Sequence, residues 1–391
     1  MTPIHELLHD RLQVNSLLIV LCFVAALSVP WPAAANVPAY LLAALMLITW
    51  PEWSDIGSRR LLWLIMILLG YLCLSSLWSE TVSAPAVLRV FLHGGLVLTF
   101  VIAFAECQMR GQLRRWVGRS MAVAGIITVI AALALFYVFE PADGRLRGLG
   151  LLANHVVAAW VYAVVLILVL DVALSDRSGL WRLIALASAL LLAWTIFLSD
   201  SRNAWFSTLI GVGVFLMARL ILDPQRFVAG VAAFAAVLGV VVGALVANVP
   251  SRSLLVPRGT SFRPEIWGDA VGELLRGGPW FGLGINTPSI VMVEGIEFEH
   301  PYSMYLSVAY QGGLVGLALF LALIAAVLIV LIRNYQEPDA KLALGILGLA
   351  LPAYLLDGHH LVADVGATWF LFWLPVAIGL GISWRWLPRG L

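Results

Sequence analysis

Long apolar stretches broken by short polar punctuation dominate this chain. Since an α-helix needs ~20 apolar residues to cross a bilayer, they predict about twelve spans. These run roughly over 13–30, 36–50, 60–78, 85–105, 119–139, 153–174, 181–199, 203–221, 227–248, 304–332, 341–356 and 366–383. The runs are too continuous for the alternating pattern of a membrane barrel, and a lipid-exposed backbone must satisfy its own hydrogen bonds. The expected fold class is therefore an all-α polytopic membrane protein, one integral membrane domain over residues 1–391. One long polar interruption, 249–303, forms a large loop on a single side. Within it "SFRPEIWGDAVGELLRGG" spaces Phe262, Ile266, Trp267, Ala270, Val271, Leu274 and Leu275 as on an amphipathic helix, stopped by Gly277, Gly278 and Pro279.

Composition agrees with the pattern: 62% of residues are hydrophobic and 12% charged. Cys22, Cys73 and Cys107 sit in apolar segments without paired spacing, so they read as core residues rather than a disulfide frame or zinc site. The first apolar run follows "MTPIHELLHDR" with no small-residue cleavage pattern and reads as a retained span. Charge gives the orientation. With a cytoplasmic N-terminus, all of the 23 basic residues fall in cytoplasmic loops except Arg89, Arg145, Arg147, Arg202, Arg252, Arg258, Arg263 and Arg276. The positive-inside rule then places both termini in the cytoplasm and the 249–303 loop outside. Those exceptions are all arginine, in a chain with a single lysine, Lys341. Arginine's planar fork suits phosphate, so the outer set points to an anionic ligand; anchoring to lipid headgroups is the plainer alternative.

Three outer stretches carry candidate chemistry. "LSDSRNAW" offers Asp200 or Ser201 as a helix cap with Arg202 in the first turn, an anion site or simply a capped helix. "DGRLRGLGLLANHVVAAW" holds Arg145 and Arg147 in a glycine-rich turn that matches no nucleotide fingerprint, with His155 reading as a packed side chain. "WFGLGINTPS" contributes Asn286 downstream of Arg263 in the same loop. "FEHPYSMYLSVAYQGG" then sets His300 before an apolar run: Pro301 fits a first helical turn, which puts His300 at a cap. The helix field would favour a neutral imidazole and Glu294, Glu297 and Glu299 a charged one, and a neutral ring there can act as a general base. A separate cluster, "LLDGHHLVAD" with Asp357, His359, His360 and Asp364, lacks the H-x-x-x-H and H-E-x-x-H spacings, with metal binding left as the lesser alternative. There is no P-loop, no D-x-D pair and no nucleic-acid signature.

These features together resemble the bacterial O-antigen ligase family, within the larger group that also contains O-antigen polymerases and protein O-oligosaccharyltransferases. The resemblance covers essentially the whole chain: the span count, "SLWS" after the third span, "SRNAW" opening an outward helix, the large loop, and "HPYSMYL…QGGLVG" after it. A turn that in similar ligases carries an acidic residue here has Gln311. The short sequence after the last span favours the ligase branch. The resemblance implies a GT-C-like glycosyltransferase in the bacterial inner membrane, without cofactor or metal. It would move O-antigen from undecaprenyl pyrophosphate to a sugar hydroxyl of lipid A-core at the periplasmic face, with membrane lipids as its surroundings. Carried onto this sequence, His300 is the base and Arg202 and Arg263, with Arg147, hold the pyrophosphate. Arg145, Arg89, Asn286, Tyr302 and Tyr305 are further binding candidates. A polymerase would use the same donor and differ in acceptor. A flippase for an anionic lipid would bind without reacting, but neither inverted repeats nor midplane charges are visible.

Overall fold

The structure is a computed structural model describing residues 3–48, 60–109, 113–232 and 262–385. Among the described residues nine helices are long and apolar enough to cross a membrane, and two shorter apolar helical segments span Pro32–Ile48 and Trp369–Arg385. In chain order the helices are α1 (Pro3–Ser28), α2 (Val37–Ile48), α3 (Arg60–Ser75), α4 (Ala84–Gln108), α5 (Leu113–Phe139) and α6 (His155–Ser175). They continue as α7 (Gly179–Leu198), α8 (Arg202–Leu220), α9 (Arg263–Gly277), α10 (Met304–Arg333), α11 (Pro338–Leu356) and α12 (Leu374–Arg385). This is the expected multi-pass, nearly all-α architecture. The expected span 227–248 is helical through residue 232; the rest of it, with Arg252 and Arg258, lies outside the described residues.

Helix α6 is the axis of the bundle. Apart from Asp171 near its end it is apolar on every side, and 78% of its most hydrophobic window is buried by protein, as befits a helix with no lipid face. Helices α8 and α11 pack side by side through glycines: a Cβ on Gly211 would come within 2.5 Å of Leu349 Cβ, and one on Gly345 within 2.6 Å of Phe215 Cβ. Lipid tails are as apolar as leucine, so close backbone approach and dispersion, rather than water exclusion, hold such helices together.

At one end of the bundle the charges pair with one another. Arg114 bonds Asp171 at 2.7 Å, Arg219 approaches the same carboxylate at 3.5 Å, and Arg119 bonds Asp176 at 2.8 Å. Arg385 reaches both Glu337 and Asp339 at 3.1 Å, and Gln108 donates to Asp339 at 2.9 Å. Helices α4, α5, α6, α8, α11 and α12 are thereby tied together. The candidate residues gather at the opposite end.

Helix α10 is broken there. Gly313, with φ 64° and ψ −166°, interrupts it, a conformation essentially reserved for glycine. The break frees main-chain groups on either side, and the turn following α9 satisfies them. Leu283 and Gly284 donate to the carbonyls of Tyr310 and Gln311 at 2.8 and 2.9 Å, while Leu314 and Val315 donate to those of Pro279 and Trp280 at 2.9 and 3.1 Å. The next residues are fixed in turn: Ser75 and Ser79 hydroxyls accept from the amides of Ile285 and Asn286, and Thr81 donates to the Asn286 carbonyl. The "SLWS" segment and the glycine-rich stretch are thus laced together. A short antiparallel hairpin follows, β1 (Val291–Val293) and β2 (Ile296–Phe298). Glu294 and Gly295, both at positive φ, form its turn.

Candidate active site

His300 does not cap a helix, contrary to the sequence expectation. Helix α10 begins at Met304 with Ser303 as its cap, the hydroxyl accepting from Leu306 N–H. Tyr302, at φ 51°, turns the chain back so that its amide donates to His300 Nδ1 at 3.3 Å. Pro301 therefore shapes a loop, not a first helical turn. Its carbonyl accepts the Trp267 indole at 2.8 Å, tying the loop to α9.

The His300 ring lies between aromatic neighbours. Tyr302 sits 3.9 Å away and His359 stacks nearly parallel at 4.2 Å and 9°, with His360 a further 4.0 Å beyond. The two histidine stretches that read as separate clusters are one. Burial, followed by repulsion from His360, pushes the His300 pKa down to about 4, and His359 falls to about 4 through burial and His300. His360 is lowered by burial, His359 and His93, although one side of it stays open to solvent, which weakens the effect. At neutral pH the trio is uncharged. Neither the helix field nor the acidic trio sets this state: burial does. Nearby, burial raises the Asp357 carboxyl against the opposing pull of Gly358 N–H and Arg263. Burial and the carboxylates of Asp357 and Glu299 likewise raise the Tyr302 phenol.

The histidines border a cavity of about 480 Å³, walled by the 285–290 stretch, Glu297, Glu299, Ser307, Tyr310 and Gln311. Among the described residues its lining contains no arginine or lysine. Gln311 donates to the His359 carbonyl at 3.0 Å, so its position next to the glycine break positions the second histidine. The Asn286 Nδ2 and Gln311 Oε1 atoms of this wall are buried without a partner among the described residues. Such atoms cost free energy unless a ligand or solvent meets them.

The arginines lie around this cavity rather than in it. Ser201, not Asp200, caps α8, accepting from Ala204 N–H, and Arg202 opens the helix on its exposed surface. Asn203 grips the Ala353 carbonyl and Arg263 the Leu356 carbonyl, at 3.1 and 3.0 Å, so the starts of α8 and α9 meet at the last turn of α11. The Leu146 amide bonds Leu198 O, setting the 145–147 loop beside the end of α7. There Arg145 contacts His155 Nε2 at 3.0 Å and Arg147 pairs with Asp143 at 2.8 Å. Arg89 and His93 share one face of α4, and His93 acts on His360. Tyr305 is spent elsewhere: its hydroxyl donates to Leu351 O at 3.1 Å, a brace between α10 and α11. Among the described residues no group of three or more His, Cys, Asp or Glu is arranged to hold a metal ion. Face-to-face stacking directs imidazole planes, not lone pairs, at each other.

This is a neutral imidazole cluster on a cavity whose described lining residues carry no cation, with guanidinium groups at neighbouring helix starts. It can accept a proton from a hydroxyl on one side and meet an anion on the other. The Nδ1 bond leaves the neutral ring protonated at Nε2. Accepting a proton at Nε2 means giving up one long hydrogen bond for the other tautomer, a cost of about 1 kcal/mol.

A family profile described as O-Antigen ligase matches residues 187–321, the stretch from α7 to just past the α10 break. An O-antigen ligase of Pseudomonas aeruginosa is 30% identical over 312 residues, covering 79% of this chain and 74% of its own length.

Proposed function

Because the chain belongs to the O-antigen ligase family, and is therefore a glycosyl-transferring membrane enzyme, we propose that it moves an O-antigen glycan from undecaprenyl pyrophosphate to a sugar hydroxyl of lipid A-core. The reaction takes place at the periplasmic face of the inner membrane, with both termini in the cytoplasm. The observation that carries this reading is His300, half-buried and neutral on the wall of a cavity whose described lining holds no cation, beside arginine-bearing helix starts. His300 takes the acceptor proton as the acceptor oxygen bonds the anomeric carbon. The bond from that carbon to the pyrophosphate oxygen breaks in the same step, inverting the centre. The leaving pyrophosphate gains negative charge, which Arg202 and Arg263 meet with forked hydrogen bonds, Arg145 and Arg147 extending the positive rim. Arg89 guards the α4 side, Asn286 orients the acceptor, and Tyr302 holds the His300 ring. No metal is required, because preorganised guanidinium groups supply the charge compensation.

The test is a gel-shift assay of purified protein with lipid-linked glycan, with and without lipid A-core, in EDTA throughout. A shifted lipid A-core band supports the ligase; glycan ladders on the donor without acceptor mean a polymerase, and no product under any condition returns the flippase that binds an anionic lipid without reacting. His300→Ala with full transfer activity removes the base assignment.

A further inference from the structure

A second cavity, of about 890 Å³, adjoins the first. The two share a wall of Thr287, Pro288, Ile290 and Tyr310. Tyr310 stands at the junction, its hydroxyl 2.7 Å from Glu273 Oε2. Beyond it the second cavity is lined by Trp78, Glu80, Glu273 and Arg276. Trp78, 42% exposed, sets its ring against Tyr71 at 6.1 Å, and Glu80 is held by its amide donating to Thr287 at 2.9 Å.

The chemistry of this wall is specific. Among the described lining residues two carboxylates stand against one guanidinium, a balance that repels a pyrophosphate, and the polar groups are out of place for an acyl chain. An indole face beside carboxylate and guanidinium groups suits a sugar, whose C–H face lies on the ring while its hydroxyls meet the polar groups. Position decides which sugar chain. Helix α9, 15 residues long, rises ~20 Å, with Arg263 at the end that meets α11 and Arg276 at the other. The second cavity is therefore on the far side of His300's cavity from the pyrophosphate-binding helix starts. A donor glycan hangs from its pyrophosphate, so the far cavity belongs to the other substrate.

We propose that this second cavity binds the saccharide chain of the acceptor, with the receiving sugar beside His300 and its neighbours over Trp78, between Glu80, Glu273 and Arg276. The inference rests on the glycosyl-transfer reading above. Steady-state kinetics on full-length protein, with lipid A-core and lipid-linked glycan varied separately, tests it. Trp78→Ala and Glu80→Gln should each raise the acceptor KM about tenfold and leave the donor KM in place, with Trp78→Phe retaining part of the affinity. Trp280→Ala, an exposed aromatic on the same turn that lines neither cavity, is the control. An unchanged acceptor KM in both variants, or a rise in donor KM instead, overturns the proposal while the wild-type transfer keeps the ligase reading. A wild type that transfers nothing to lipid A-core overturns both. Should Trp78→Ala fail to fold, as judged by gel filtration in detergent, the more conservative Glu80→Gln decides alone.

Discussion

The base at the centre of the proposed reaction can be probed through pH. An ordinary histidine, pKa 6.5, is about 10% neutral at pH 5.5 and about 90% neutral at pH 7.5, a tenfold change in active base. His300, lowered to about 4 by burial and then by His360, is about 97% neutral at pH 5.5. The rate constant kcat/KM, which reports the free enzyme, should therefore be nearly flat from pH 7.5 to 5.5 and fall only as pH drops toward 4. Initial rates of glycan transfer below saturation, in buffers of constant ionic strength, measure this. The cause can be tested by the same assay: His359→Ala strips the stacked ring and lets water in, so the acid limb should move up toward 6.5. Stability follows the same groups. Native His300 stays neutral where the unfolded chain takes up a proton, so stability is complete above pH 6.5 and declines as pH falls through 6.5 toward 4. The full shift corresponds to about 3 kcal/mol, and solvent access to part of the ring reduces that to about 2. An acid limb at pH 6 or above in the wild type refutes the argument that burial keeps this ring neutral.

Three other substitutions address distinct parts of the structure. Gly313→Ala forces a side chain into a backbone region reserved for glycine and against the Trp280 carbonyl, which should cost about 2–4 kcal/mol; a thermal midpoint equal to wild type would show that the α10 break tolerates a Cβ. Asp171→Asn leaves Arg114 and Arg219 without their shared carboxylate and should cost about 2 kcal/mol, lowering the thermal midpoint with little effect on donor KM; an unchanged midpoint counts against the network as a tie between helices. Arg202→Lys keeps charge but loses the fork, so transfer should fall at least about tenfold; wild-type rates would mean that a point charge suffices.

Spans were legible because they follow from composition alone: a run of apolar residues of the right length has few other folds in lipid. Ser201 as a cap was legible for a similar reason, since it acts on an amide three residues away. The amphipathic α9 also announced itself through its spacing. What stayed hidden depends on contacts far apart in sequence. His300 and His359 stack across 58 intervening positions, and nothing local to "DGHH" points to "EHPY". The Pro301 expectation failed because a helix-starting signal was outcompeted by Ser303, whose hydroxyl caps α10 two residues later. Tyr305 looked available and is committed to Leu351 O. The hairpin did leave a trace, "VMVEGIEF", in which short β-prone runs flank a Glu-Gly turn, overshadowed by the helical signal around it.

The lacing of the 279–284 turn into the broken α10 is made of main-chain groups. Such a joint specifies a path, holding Gly282 and Gly284 at positive φ with no room for a Cβ, and leaves the outward side chains of Trp280 and Phe281 unconstrained. Trp280 and Phe281, 64% and 62% exposed, can be exchanged for other residues during sequence drift with the joint intact, whereas Gly313 has no substitute of equal conformational range. Homologues could therefore re-tailor the rim of this turn to a different bilayer or polysaccharide while inheriting the same histidine geometry beneath it.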